Sequence, residues 1–391
     1  MGRIPPTAPR LSTQSVSPSR TKPAISDGIR FSLCSTANRR SKARCVEGNR
    51  LVDMASCFHG DAQRTLSIGW QNAAVRTDQD RVDVRGVVSF VAIAYAPAWL
   101  LTLPLWLTGQ GLTWVWSPVV LVLMMFMPAV AAYVVDKWIS PRPRPLRYGG
   151  VTNDGGVRRW WRYGLLAWLG APVAMVLALL VGSLLGVYQA DWTGFSGLAQ
   201  QQQVVVGEAE TTSPASLAMA EIGKLFLFGW LNVIPAFGAE WGWRGYLSRA
   251  LLPLGQPGMF VTTGVLWGLW HAPLLVLGYN YPTAPVVAAV LMMVGYCTLL
   301  GVLLGWLRLA SESVWPAAIA HGFVNASAAL PIVFGAAGHP ITGISEGLLG
   351  WSGWIVLGLL ILVLTMVNKL PVRLDTDESG ISQGVRRRSR R

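Results

Sequence analysis

Residues 217–247 read LAMAEIGKLFLFGWLNVIPAFGAEWGWRGYL. The part from 217 to 240 is apolar over the roughly 20 residues that a helix needs to cross about 30 Å of hydrocarbon. It closes on Glu240 and, one helical turn later, Arg244. A charge at the centre of a membrane helix costs roughly 2.5–3.5 kcal/mol on insertion scales, so an ionisable pair placed there needs a use. The stretch predicts a membrane helix that carries a polar site at its end.

Seven further apolar spans surround it, at about 86–108, 115–136, 163–188, 258–278, 285–307, 314–335 and 348–368. The chain of 391 residues is 52% hydrophobic and 13% charged, half the charged fraction of about 25% usual in soluble proteins. Interior prolines such as Pro97, Pro128, Pro172 and Pro235 would break soluble helices, but packed membrane helices tolerate them. The pattern predicts an all-α fold, a polytopic membrane bundle of about eight transmembrane helices over residues 85–369.

The loops test that count independently, because Lys and Arg collect on the cytoplasmic side. Segment 137–162 holds Lys137, Arg142, Arg144, Arg147, Arg158, Arg159 and Arg162; span four leads into Arg244 and Arg249, and span six ends at Arg308. Loops 109–114 and 279–284 carry no charge, 189–216 only Asp191, Glu208 and Glu210, and 336–347 only Glu346. Lys224 alone is out of place, one helical step from Glu221, where it can snorkel or pair. Eight spans with both termini cytoplasmic follow, in a multi-pass protein expected in the plasma membrane. The net charge of +13 thus reads as topology plus attraction to anionic membrane lipid, and no nucleic-acid partner is expected.

Residues 1–84 are rich in Ser, Pro, Arg and Gly and read as a disordered basic extension; no apolar segment near the start marks a secretory signal. Their Arg- and Ser-rich composition also fits an organellar transit peptide, and 370–391 form a basic cytoplasmic tail. Cys34, Cys45, Cys57 and Cys297 show no CxxC spacing, which argues against a disulfide framework or a zinc ribbon.

Three intramembrane clusters carry the chemistry. Glu240 and Arg244 are i,i+4 neighbours, so an ion pair is expected; it either pins the helix end or lets Glu240 hold a water. An arginine partner makes a carboxylate a weaker base, which points Glu240 toward a supporting role. His271 follows Trp267 by one turn, and its imidazole is either a satisfied core group or a catalytic one. His321 and Asn325 share a helix face, where imidazole and amide can both donate to one oxygen as an oxyanion hole or clamp two helices together. The single-helix zinc spacing HExxH is absent; if zinc binds, its ligands must come from several helices, with His271, His321 and Glu240 as the available set. No Ser or Cys pairs evidently with either histidine, which disfavours a covalent nucleophile.

In order and separation, the segment Gly238–Leu247, the Trp267–His271 spacing and the His321–Asn325 spacing resemble the three motifs of the CPBP family of intramembrane metalloproteases. That family includes the type II CAAX prenyl endopeptidases and bacterial proteins of bacteriocin processing or self-immunity. The resemblance covers roughly residues 215–335. It implies that His271 helps activate the attacking water, that His321 and Asn325 stabilise the tetrahedral oxyanion, and that Arg244 and Glu240 match the motif arginine and second glutamate. The first motif glutamate, the family's expected general base, is here Ala239. The leading expectation is an intramembrane endopeptidase acting on a membrane-bound peptide or lipidated protein. The alternatives are a catalytically impaired member serving in self-immunity or membrane binding, and a proton-coupled transporter using Glu240, His271 and His321 as a relay.

Overall fold

The computed structural model describes residues 44–47, 50–53, 81–152, 156–206 and 212–372. Within the N-terminal extension, Arg44–Glu47 and Arg50–Asp53 pair as an antiparallel two-stranded ribbon. The expectations of disorder for the rest of residues 1–80 and of a basic tail beyond 372 lie outside the described residues.

The membrane part is helical: α1 (Val84–Leu107), α2 (Ser117–Val134), α3 (Gly156–Leu184), α4 (Pro214–Glu240), α5 (Gly255–Trp270), α6 (Val286–Ser311), α7 (Trp315–Ala326) and α8 (Trp351–Met366). Each of the eight expected spans has its helix. Among the described residues, six are long and apolar enough to cross a bilayer unaided: α1, α2 through Ile139, α3, α4 through Ala250, α6, and α7 through Val333. The other two correct the expectation of uniform spans, since α5 and α8 have only 16 residues each. α5 stops at Trp270 and resumes as the one-turn helix Ala272–Leu275. Pro273 explains the break, having no N–H to donate and a ring that crowds the carbonyl four residues back.

In lipid, helices gain little from hydrophobic burial against one another, so association relies on close packing through small residues. Gly264 and Gly268 on α5 lie against α6 so tightly that a Cβ on them would sit 2.5 Å from Thr298 Cα and 2.6 Å from Val294 Cα. Gly238 does the same for α4 against Phe126 of α2, and Gly322 on α7 lies against the backbone of Val233. Gly268→Leu is therefore expected to overpack a seam that cannot yield and to lower stability by at least ~1–3 kcal/mol, read as a fall in melting temperature. Gly170→Ala, a position with nothing within 4 Å, should leave it unchanged.

Loop contacts sort the bundle into two ends. At one end Arg142 and Arg249 lie over the Tyr148 ring at 4.2 and 5.2 Å, Arg308 Nη2 donates to Tyr148 O (3.0 Å), Val314 N donates to Gly150 O, and Arg159 pairs with Glu312. At the other, Tyr188 donates to Pro331 O, Ala336 N to Gln189 O, and Tyr281 to Leu349 O. The arginine-bearing connections thus share one end, as the charge pattern predicts. Asp83, before α1, meets Ser140 and Arg142 at this basic end, and Val372, after α8, meets Gln256 there. Lys224 resolves its misplacement by pairing with Glu221 at 2.7 Å.

Asp83 also caps α1, accepting from Gly86 N at 2.9 Å. Partial burial alone would raise its pKa, but the Ser140 hydroxyl, the Gly86 N–H and Arg142 outweigh it and hold the carboxyl below its usual value. A depressed carboxylate contributes stability above its unfolded-state value and loses it as pH falls through the folded one. Acidification below pH ~4 should accordingly release this cap, seen as faster amide exchange at the start of α1.

Candidate active site

Glu240 ends the regular part of α4, and the next seven residues, Trp241–Leu247, wind as a wider π-helical turn. Such turns often occur at functional sites because they re-aim side chains. Here the turn carries Arg244 into the interior, where Nη1 donates to Glu240 Oε1 at 2.9 Å, with side-chain exposures of 1% and 0%. The guanidinium lies 4.1 Å over the face of Trp267 on α5. Gly301 on α6 leaves room beside it, since a Cβ there would be 3.3 Å from Nη2. The ion pair read from the sequence is present and buried.

His321, on α7, bonds the same carboxylate oxygen: Nδ1 lies 2.8 Å from Glu240 Oε1. A paired carboxylate only accepts, so Nδ1 is the protonated nitrogen and Nε2 keeps the lone pair. His271 reaches the same state by another route. The break after Trp270 draws the His271 N–H to Gly268 O, leaving Trp267 O free to accept from His271 Nδ1 at 2.9 Å. Its Nε2 is likewise an acceptor.

The free carbonyls at this helix end also anchor it to α1. Trp99 Nε1 donates to Trp270 O (3.1 Å), Tyr95 donates its hydroxyl to Leu266 O, and Trp270 Nε1 returns a bond to Ala94 O (3.0 Å). These bonds fix the half-buried His271. The indole of Trp267 lies between the two imidazoles, 6.1 Å from His271 and 5.3 Å from His321, centre to centre. Residues from α4, α5 and α7 thus gather around one ring.

Two motif positions behave differently. Asn325 is exposed on α7, one turn beyond His321, and its amide has no hydrogen-bond partner among the described residues. Ala239 is buried, and the Glu240 side chain belongs to Arg244 and His321. The side-chain direction at residue 239 differs from that at 240 by about 100°, so the Glu240 carboxylate does not take the direction of a side chain at 239.

Of the three groups that could hold zinc, the Glu240 carboxylate is engaged by Arg244 and His321, and His321 spends Nδ1 on it. Among the described residues no three His, Cys, Asp or Glu side chains gather as a metal-ligand group.

Sequence reasoning missed Asn232, a half-buried amide inside α4, as well as the anchoring roles of Tyr95 and Trp99. Asn232 was legible as an uncharged polar residue within an apolar run. Tyr95 and Trp99 sit in another span, 171 residues from the carbonyls they hold, and no local signal points to them.

Residues 221–327 match the family model of the type II CAAX prenyl endopeptidase, Rce1-like. This interval contains Glu240, Arg244, His271, His321 and Asn325, and the match bears out the family read from the three motifs. Among curated proteins no significant match is found.

Proposed function

We propose, from the premise that residues 221–327 are an Rce1-like domain of the type II CAAX prenyl endopeptidases, that the protein is an intramembrane endopeptidase that hydrolyses a membrane-associated peptide by direct water attack. The observation that carries this reading is the pair of imidazoles around Trp267, each tied through Nδ1 and each offering Nε2. His271 Nε2 takes a proton from water as its oxygen adds to the peptide carbonyl. His321, once its Nε2 has taken up a proton while Nδ1–H stays on Glu240, and the Asn325 amide donate to the oxyanion. The proton on His271 then passes to the leaving nitrogen as the C–N bond breaks, giving acid and amine.

The substrate class follows the family's description, a peptide with a lipidated C terminus. The basic end is assigned to the cytoplasm by the positive-inside rule, placing both membrane-domain ends there, and the plasma membrane is the expected location. Membrane lipid is the surrounding partner.

Ala239 favours a second reading, a binding protein with weakened catalysis, since an enzyme loses typically 10²–10⁴-fold without general-base assistance. Ala239→Glu in nanodiscs, assayed on a fluorescent peptide with a prenylated CAAX C terminus, tests between them. Measurable cleavage by the natural chain, changed less than tenfold by the substitution, is expected for the histidine mechanism. Cleavage that appears only in the Ala239→Glu variant would leave the natural chain a binding protein. The family match does not favour a proton-relay transporter.

A further inference from the structure

The amide of Asn232 is half-buried in the middle of α4 and has no hydrogen-bond partner among the described residues. A polar side chain at this depth is costly unless it meets another polar group. Its direction is set by the helix. Leu227, Phe228, Leu231 and Ile234 are 69%, 52%, 62% and 60% exposed and mark the outward face of α4; Asn232 lies about 40–160° round from them, at the edge of that face. It is seven residues from Ala239, so the two point within about 20° of each other.

The neighbouring helix brings the site to it. A Cβ on Gly322 would lie 3.0 Å from the carbonyl carbon of Asn232 and 2.8 Å from Val233 N, so α4 and α7 touch backbone to backbone at this residue. Gly322 follows His321 directly, and Asn325 is one turn beyond it. Two unpartnered amides, Asn232 and Asn325, therefore belong to one seam beside an imidazole that the reaction uses.

We propose that Asn232 is a substrate-positioning residue, whose carboxamide pairs with a backbone amide of the peptide lying along the α4–α7 seam. A carboxamide offers donor and acceptor together, the complement of a peptide group. Lipid chains offer neither, and the half-burial of Asn232 beside the Gly322 contact places it at the α4–α7 seam. The proposal rests on the endopeptidase reading above.

The test uses the full chain in nanodiscs with the same prenylated fluorescent peptide. Asn232→Leu removes the amide at similar volume and should raise KM about tenfold, with kcat within twofold and the melting temperature unchanged. Asn232→Ser, which keeps a donor and acceptor, should recover part of the loss. Unchanged KM, or a fall in kcat that follows the melting temperature in both variants, would overturn the proposal. If the natural chain does not cleave, peptide affinity by fluorescence anisotropy separates the two readings. A tenfold weaker Kd for Asn232→Leu upholds the positioning role while the endopeptidase reading fails; equal or absent binding in both proteins overturns the positioning role.

Discussion

Replacing His271 by alanine is expected to lower peptide cleavage by at least ~10²-fold, the usual worth of a general base, while the bundle stays folded. The ring is half-buried at the end of α5 and, among the described residues, hydrogen-bonds only the Trp267 carbonyl of its own helix. Its removal leaves the three ties between α5 and α1 intact. Melting temperature should therefore move little, and the loss should appear in kcat. His339→Ala provides the contrast: that imidazole is exposed in a loop at the opposite end from the arginines, and cleavage should be unchanged. Equal cleavage by His271→Ala and the natural chain would remove His271 from the mechanism and with it the arrangement proposed around Trp267.

The sequence disclosed the elements that obey local rules. Apolar length announced the helices, loop arginines announced which connections share an end, and one-turn spacing announced the Glu240–Arg244 pair. The break at His271 was written in Pro273, yet hydropathy averages over 258–278 do not register a missing N–H donor. What stayed hidden were contacts between distant residues. Nothing around Glu240 says that His321, 81 residues away, shares its Oε1, or that the aromatic at 267 serves Arg244 as well as His271. The pairing of His321 with Glu240 depends on how α4 and α7 meet, which is set by glycines such as Gly322 whose role appears only when the facing backbone is known. Asn325 shows the converse: its spacing put it on the His321 face, and the exposed position of its amide followed from packing alone.

The largest effect on stability is expected from Arg244→Ala. Glu240 and Arg244 have side-chain exposures of 0% and 1%, so neither can exchange its partner for bulk water. Breaking a buried pair by removing one member typically costs ~3–5 kcal/mol, because the other charge is left uncompensated. The alanine variant also forfeits the guanidinium stacked on Trp267, a contact worth up to ~2 kcal/mol when desolvated. Arg244→Lys should recover only part, since an ammonium lacks the planar fork that bonds Glu240 while lying flat on an indole. The double variant Glu240→Gln with Arg244→Met should be more stable than Arg244→Ala alone, because no unpaired charge remains. That non-additivity, measured as a coupling energy from the melting transitions, is the signature of the pair. Additive effects, or a single-variant loss below ~1 kcal/mol, would mean that water reaches Glu240 and that the pair does not hold the π-helical turn in place.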